Sequence, residues 1–144
     1  MTMIDDVKAF HDKFGVPAVD KPQIPGDERI ALRERLISEE YEELMVALGF
    51  CSYHSDMGSG WQRCTTTSLP ETADAIADLI YVLIGTAHEF GIPLRAVWDA
   101  VHVSNMAKVG GGQDSKGKIQ KPPGWVAPDV AGVLEAHGWK GESQ

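Results

Sequence analysis

Apolar residues recur along this chain at spacings of three and four, and nowhere at a convincing spacing of two. Ile4, Val7, Phe10 and Phe14 predict an amphipathic helix over residues 3 to 14, stopped by Gly15 and Pro17. Three prolines and two glycines make residues 15 to 26 a loop. Asp27 is then placed to cap a second helix, from Glu28 to about Leu48, a rod of roughly 30 Å. Between Gly49 and Leu69 no period is visible, so a long connection with one irregular turn is expected and strands are not. Ser68 and Glu71 have the spacing of a capping box, opening a third helix that Gly91 ends. Pro93 opens a fourth, with Leu94, Val97, Val101 and Met106 near one side, fading at Gly110 to Gly112. The segment 110–144 reads as mostly loop, with a short helix near Asp129 to Ala136. The expected architecture is all-α: residues 1–144 as one domain, a bundle of four to five helices. Ile76, Leu79, Ile80, Val82, Leu83 and Ile84 leave helix three apolar nearly all round. One neighbour cannot cover such a helix, so a second copy of the chain is expected to complete the bundle.

Composition adds bounds rather than detail. With 43% hydrophobic and 24% charged residues, the chain is that of an ordinary packed globular protein. The net charge of −8 lies in the first hundred residues, where eight of the 13 Lys and Arg face 17 of the 21 Asp and Glu. Such a surface lacks the basic stripe that duplex nucleic acid needs, which excludes that class of partner but not free nucleotides beside bound metal. The longest apolar run, Leu79 to Ala87, is too short to span a membrane, so no membrane role is expected. The first residues lack a basic and then apolar leader pattern, and only Cys51 and Cys64 occur, so a cytoplasmic, reduced setting is expected.

The acids themselves are patterned. On a helical wheel with Glu39 at zero, Glu43 falls near 40° and Glu40 near 100°, among Leu32, Leu36 and Ala47. Glu42, near 300°, points away and reads as solvated. Three unpaired carboxylates on an apolar face cost several kcal/mol each by desolvation, so they call for cations. Arg33 and Arg35 are one supply, and a divalent metal is the more economical one. On helix three Glu71, Asp74 and Asp78 fall within an arc of about 60°. Glu71 could serve merely as the capping-box acid, a role Asp74 does not share. Two facing acidic clusters of hard oxygen donors suit Mg²⁺, with Mn²⁺ as the alternative, and metal of this kind meets substrates through phosphates.

Glu39-Glu40-x-x-Glu43 followed by Glu71-x-x-Asp74 resembles the paired EExxE and ExxD motifs of the all-α nucleotide pyrophosphohydrolases, which include MazG, dimeric dUTPases and phosphoribosyl-ATP pyrophosphohydrolase. Phe10-His11-x-x-Phe14-Gly15, the run from Asp74 through Asp78 and Tyr81 to Gly85-Thr86-Ala87, and Val101-His102-x-Ser104-Asn105-Met106-x-Lys108 extend the likeness over about 100 residues. It is greatest to the MazG-like, phosphoribosyl-ATP-pyrophosphohydrolase-like proteins. The resemblance implies Mg²⁺-dependent cleavage of a nucleoside triphosphate to monophosphate and pyrophosphate, in a homodimer or dimer of dimers. By the same resemblance Glu39, Glu40, Glu43, Glu71 and Asp74 would hold metal, with one of the glutamates as an alternative base for water. Asn105 and Lys108 would meet the substrate phosphates, and Asp78 matches a recurrent acid without an assigned role. For Asn105 and Lys108 the competing role is a helix C-terminal cap and a lysine matched to the helix dipole. Hydrolysis of phosphoribosyl-ATP and a non-catalytic nucleotide-binding module are the competing functions. Residues Cys51 to Thr67 fall outside the resemblance, and base preference with them.

Other signals are weaker. Gly112 to Lys118 has P-loop spacing, but Ile119 replaces the Ser or Thr and Pro122-Pro123 forbids the following helix. Its glycines with Lys116, Lys118 and Lys121 read instead as a flap. Cys51, His54 and Cys64 lack a fourth zinc ligand and read as a histidine and two free thiols in a loop. Trp98 reads as core by its helical spacing.

Overall fold

Thr2 opens the first helix with a capping box that the apolar pattern did not reveal. Its hydroxyl accepts the Asp5 amide, and the Asp5 carboxylate accepts the Thr2 amide at 2.7 Å. Helix α1 runs Met3–Phe14, and Gly15 closes it in the left-handed conformation. The computed structural model describes residues 1–141, which fall into two compact units.

The first unit, Met1–Ala18 with Ile24–Glu89, holds α1, α2 (Asp27–Ala47), strands β1 (Phe50–Ser55) and β2 (Gly58–Arg63), and α3 (Leu69–Glu89). Two cap expectations are corrected. Gly26 is the N-cap of α2 and makes no side-chain bond, so Asp27 is the first helical residue and acts only through its charge on the helix dipole. No Ser68–Glu71 box forms at α3; Thr72 N donates to the Ser68 carbonyl at 2.9 Å, leaving the Glu71 side chain uncommitted.

The connection expected to be strand-free is an antiparallel hairpin, register Phe50↔Arg63 through Ser55↔Gly58, turning at Asp56-Met57. Most of its residues are exposed on both faces, which is why no alternation marks it in the sequence. Its base is fixed by Gly49, whose carbonyl accepts both Cys64 N and Thr65 N at 2.9 and 3.1 Å. Gly49 has φ 91°, and a Cβ there would lie 2.6 Å from the Thr65 carbonyl oxygen, so the close approach requires glycine. Thr67 Oγ1 to Leu48 O and Ser68 N to Ala47 O, at 2.9 and 3.0 Å, then tie the end of α2 to the start of α3.

Helices α2 and α3 make the main packing of this unit, with α1 against α3. The seam is small-residued: Val7, Ala47, Ala75, Ile84 and Ala87 are the buried apolar residues among those described. Its polar centre is Glu89, whose side chain is 1% exposed. Arg29 binds it through two nitrogens at 2.6 and 2.9 Å, and Arg33 through a third at 3.4 Å. Arg33 also donates to Thr86 Oγ1 at 3.0 Å and to the Val82 carbonyl. The hydrogen bond to Glu89 raises the Arg29 pKa, whereas burial lowers that of Arg33. Gly85 leaves room for this network: a Cβ there would meet Arg33 Nη2 at 2.9 Å and His11 Nε2 at 3.0 Å. His11, buried, donates Nδ1–H to the Pro17 carbonyl at 2.8 Å, and burial pushes its imidazole below the ordinary value.

Ile76, Ile80, Tyr81 and Leu83 of α3 stay exposed in the single chain, alongside Phe10 and Phe14 of α1, and Phe10 meets Tyr81 edge to face at 5.6 Å. No single helix among the described residues is long and apolar enough to cross a membrane.

The second unit comprises Val19–Gln23 and the chain from Phe90 onward, with α4 (Leu94–Met106) packed on α5 (Val130–Ala136). Asp129 caps α5 through Gly132 N at 2.9 Å. Between the helices the chain folds back on α4: Ser104 Oγ donates to Val126 O at 3.0 Å, and Trp125 Nε1 to Ser104 O at 2.8 Å. The expected flap is a tied turn, bridged Gln113↔Ile119, with the Asp114 carboxylate accepting the Lys116 and Lys118 amides at 2.9 Å. Trp98 is not core as expected; it is 63% exposed. The chain is thus mostly helical, with five helices and one hairpin among the described residues.

Candidate active site

Helix α2 carries Glu39, Glu42 and Glu43 on successive turns, and α3 presents Glu71 and Asp74 opposite them. These five acids, with Val46, Ala47 and Ala75 at the base, line an open cleft of about 560 Å³. Two glutamates at i and i+4, beside an aspartate three residues after a glutamate on the facing helix, meet here because α2 and α3 pack along small residues. Glu40 lies beside the cleft, half-buried. Burial raises its pKa, and the charges of Glu43, Asp78, Glu39 and Asp74 raise it further. Asp78 is therefore electrostatically part of the cluster.

Two expectations change. Glu39 and Glu43 were expected to sit buried in an apolar face, yet both are exposed, and only Glu40 is partly withdrawn from water. The facing stretch of α3 is itself acidic and no other element of this unit caps the cleft, so the large desolvation cost does not arise in the single chain. Glu42, expected to point away, lines the cleft with Glu39 and Glu43. It stands about 60° from Glu39 on the wheel, a separation the cleft accommodates because its centre lies nearer Glu39 and Val46 than Leu36.

Neither competing cation reaches the acids, and Arg35 makes no salt bridge among the described residues. Arg33 is committed to Glu89, and none of Glu39, Glu40, Glu42, Glu43, Glu71, Asp74 or Asp78 has a salt bridge to a Lys, Arg or His among the described residues. Among those residues, too, no three His, Cys, Asp or Glu side chains already converge as a metal cage. Unneutralised carboxylates repel one another, and a dication is the partner whose charge and hard-oxygen preference match such a set.

Asn105 and Lys108 belong to the second unit. Lys108 Nζ donates to Asn105 Oδ1 at 2.8 Å and stands 5.7 Å from the Trp125 ring centre. The Asn105 side chain does not cap α4, whose last turn is closed by backbone bonds around Ala107. Both line a recess of about 400 Å³ with Met106, Gly110, Gly112 and Gln113. A larger groove of about 680 Å³ beside Val103, Pro123, Trp125 and Val126 is mainly apolar and holds no acid cluster of comparable density.

Against known families, the chain matches the one described as phosphoribosyl-ATP pyrophosphohydrolase over residues 7–105, more than half its length, from within α1 to the penultimate residue of α4. No curated protein matches it.

Proposed function

Because the chain belongs to the phosphoribosyl-ATP pyrophosphohydrolase family, hydrolases of phosphoric anhydrides, we propose that the α2–α3 cleft cleaves a nucleoside triphosphate, ribo or deoxy, into a monophosphate and pyrophosphate with Mg²⁺ bound. The observation that carries this reading is a set of seven carboxylates on two facing helices, none of them paired with a basic side chain among the described residues. Glu39, Glu40, Glu43, Glu71 and Asp74 would hold the metal, with Mn²⁺ an alternative, and Glu42 and Asp78 would add negative potential around it. When bound, the metal supplies charge neutralisation for the phosphate chain and lowers the pKa of water. Glu40, half-buried beside the cleft rather than lining it, is the alternative proton acceptor for attacking water, in place of a ligand role. Asn105 and Lys108 would steady the phosphate chain, the ammonium acting as a point charge.

The family's description supports a second substrate, phosphoribosyl-ATP, which carries the same kind of anhydride. A panel of triphosphates and phosphoribosyl-ATP assayed for pyrophosphate separates the two. A nucleoside triphosphate is expected to give the higher kcat/KM; a preference of tenfold or more for phosphoribosyl-ATP would reverse the assignment.

The exposed Ile76, Ile80, Tyr81 and Leu83 support assembly into a homodimer, or a dimer of dimers, in which a second copy covers α3. Sedimentation at micromolar concentration is expected to show at least a dimer, and a stable monomer would exclude it.

A further inference from the structure

The hairpin brings together the only two cysteines of the chain. Cys51 lies in β1 opposite Gln62, and Cys64 extends the ladder past Arg63 to face Gly49, its amide donating to the Gly49 carbonyl at 2.9 Å. Positions two apart along a strand share a face, so this register sets Cys51 and Cys64 diagonally on the same side of the hairpin. His54, three residues after Cys51, falls on the other side, so these three side chains do not converge as zinc ligands. Cys64 is exposed, Cys51 is half-buried, and both are free thiols. They already sense each other: the Cys51 thiol, ahead of burial, pushes the Cys64 thiol above its ordinary value, while Arg63 pulls it down.

Diagonal neighbours on a sheet stand roughly 7–8 Å apart between Cα atoms. A disulfide usually spans about 4.4–6.8 Å, so closing one requires the hairpin base to tighten by about 1 Å. A two-stranded ribbon with most of its residues exposed can yield by that much. The base is also where the hairpin meets the acid-bearing helices. The Gly49 carbonyl accepts the Cys64 thiol at 3.6 Å as well as two amides, and Thr67 and Ser68 then bond the Leu48 and Ala47 carbonyls. Ala47 and Glu71 line the acidic cleft.

We propose that Cys51 and Cys64 form a reversible oxidation site, a dithiol that a small disulfide converts into a cross-strand bridge restraining the joint between α2 and α3. The exposed Cys64 thiolate attacks the small disulfide, one small thiol leaves, and a mixed disulfide remains on Cys64. The Cys51 thiolate then attacks the Cys64 sulfur and releases the second small thiol. The protein gives up two electrons and two protons, and the small disulfide becomes two thiols.

The test equilibrates the full-length protein with oxidised glutathione, alkylates the remaining thiols, and reads intact mass and amide hydrogen exchange. Wild type is expected to lose both thiols to one bridge within a single chain, which dithiothreitol reverses. Cys51→Ser is expected to stop at the mixed disulfide, gaining one glutathionyl group. Exchange at the Cys64, Thr65 and Ser68 amides is expected to slow in bridged wild type and not in glutathionylated Cys51→Ser. Wild type that keeps both thiols, bridges two chains, or stops at the same mixed disulfide as Cys51→Ser overturns the site. Equal exchange in bridged and reduced wild type overturns the restraint. No readout involves turnover, so the result is independent of the hydrolytic reading.

Discussion

Glu40→Gln is expected to lower kcat for pyrophosphate release by roughly 100- to 1,000-fold, the range for losing a positioned base or its equivalent. The substitution keeps the size and hydrogen-bonding reach of the side chain and removes only its charge and basicity. Without metal, burial first and then the charges of Glu43, Asp78, Glu39 and Asp74 raise the proton affinity of Glu40. Folding should survive, because like-charge repulsion is relieved. Glu42→Gln, which alters a cleft-lining acid outside the motif, is expected to cost far less, within about tenfold. If Glu40→Gln retained wild-type kcat, Glu40 would be neither base nor essential ligand.

Glu89→Ala is expected to be the most destabilising single change in the first unit, by roughly 3–5 kcal/mol, because it strands Arg33 as a buried charge. In a chain of this size that corresponds to a fall of about 10 °C or more in Tm. Removing both charges should hurt less than the sum: Arg33→Leu with Glu89→Leu is expected to recover part of the loss. Strict additivity in that cycle would mean the contact at 3.4 Å carries little energy. The neighbouring His11 gives this core a pH dependence. Its folded pKa lies below the unfolded value of about 6.5, so the unfolded chain binds the proton more readily. The contribution of His11 is therefore complete above pH 6.5 and is lost as pH falls below it. Thermal melts should show that decline, and His11→Gln should flatten it.

Helix positions were legible because each is bounded by Gly or Pro and carries apolar residues at a steady spacing; α1, Met3–Phe14, is found where the pattern places it. The hairpin was not, since strands exposed on both faces have no pattern for burial to impose. The facing of Glu39 and Glu43 towards Glu71 and Asp74 was legible from wheel geometry, but their exposure was not, because a wheel ranks directions and says nothing of what covers them. Glu42 was lost for the related reason that the apolar centre of α2 and the centre of the cleft do not coincide. Arg33 was misjudged because its partner, Glu89, lies 56 residues away in sequence. That pairing withholds Arg33 from the acidic cleft, which strengthens the case for metal. Cys51 and Cys64 come together only through the hairpin's register, to which no periodicity points.

The central claim is that unpaired carboxylates on α2 and α3 use a divalent ion to cut a nucleotide between its α and β phosphates. The direct measurement is product analysis of a triphosphate incubated with the protein in Mg²⁺ and in excess chelator. One pyrophosphate per nucleoside monophosphate in Mg²⁺, and loss of turnover in chelator, is the predicted result. Orthophosphate and diphosphate as products, or turnover that chelator leaves unchanged, would contradict it.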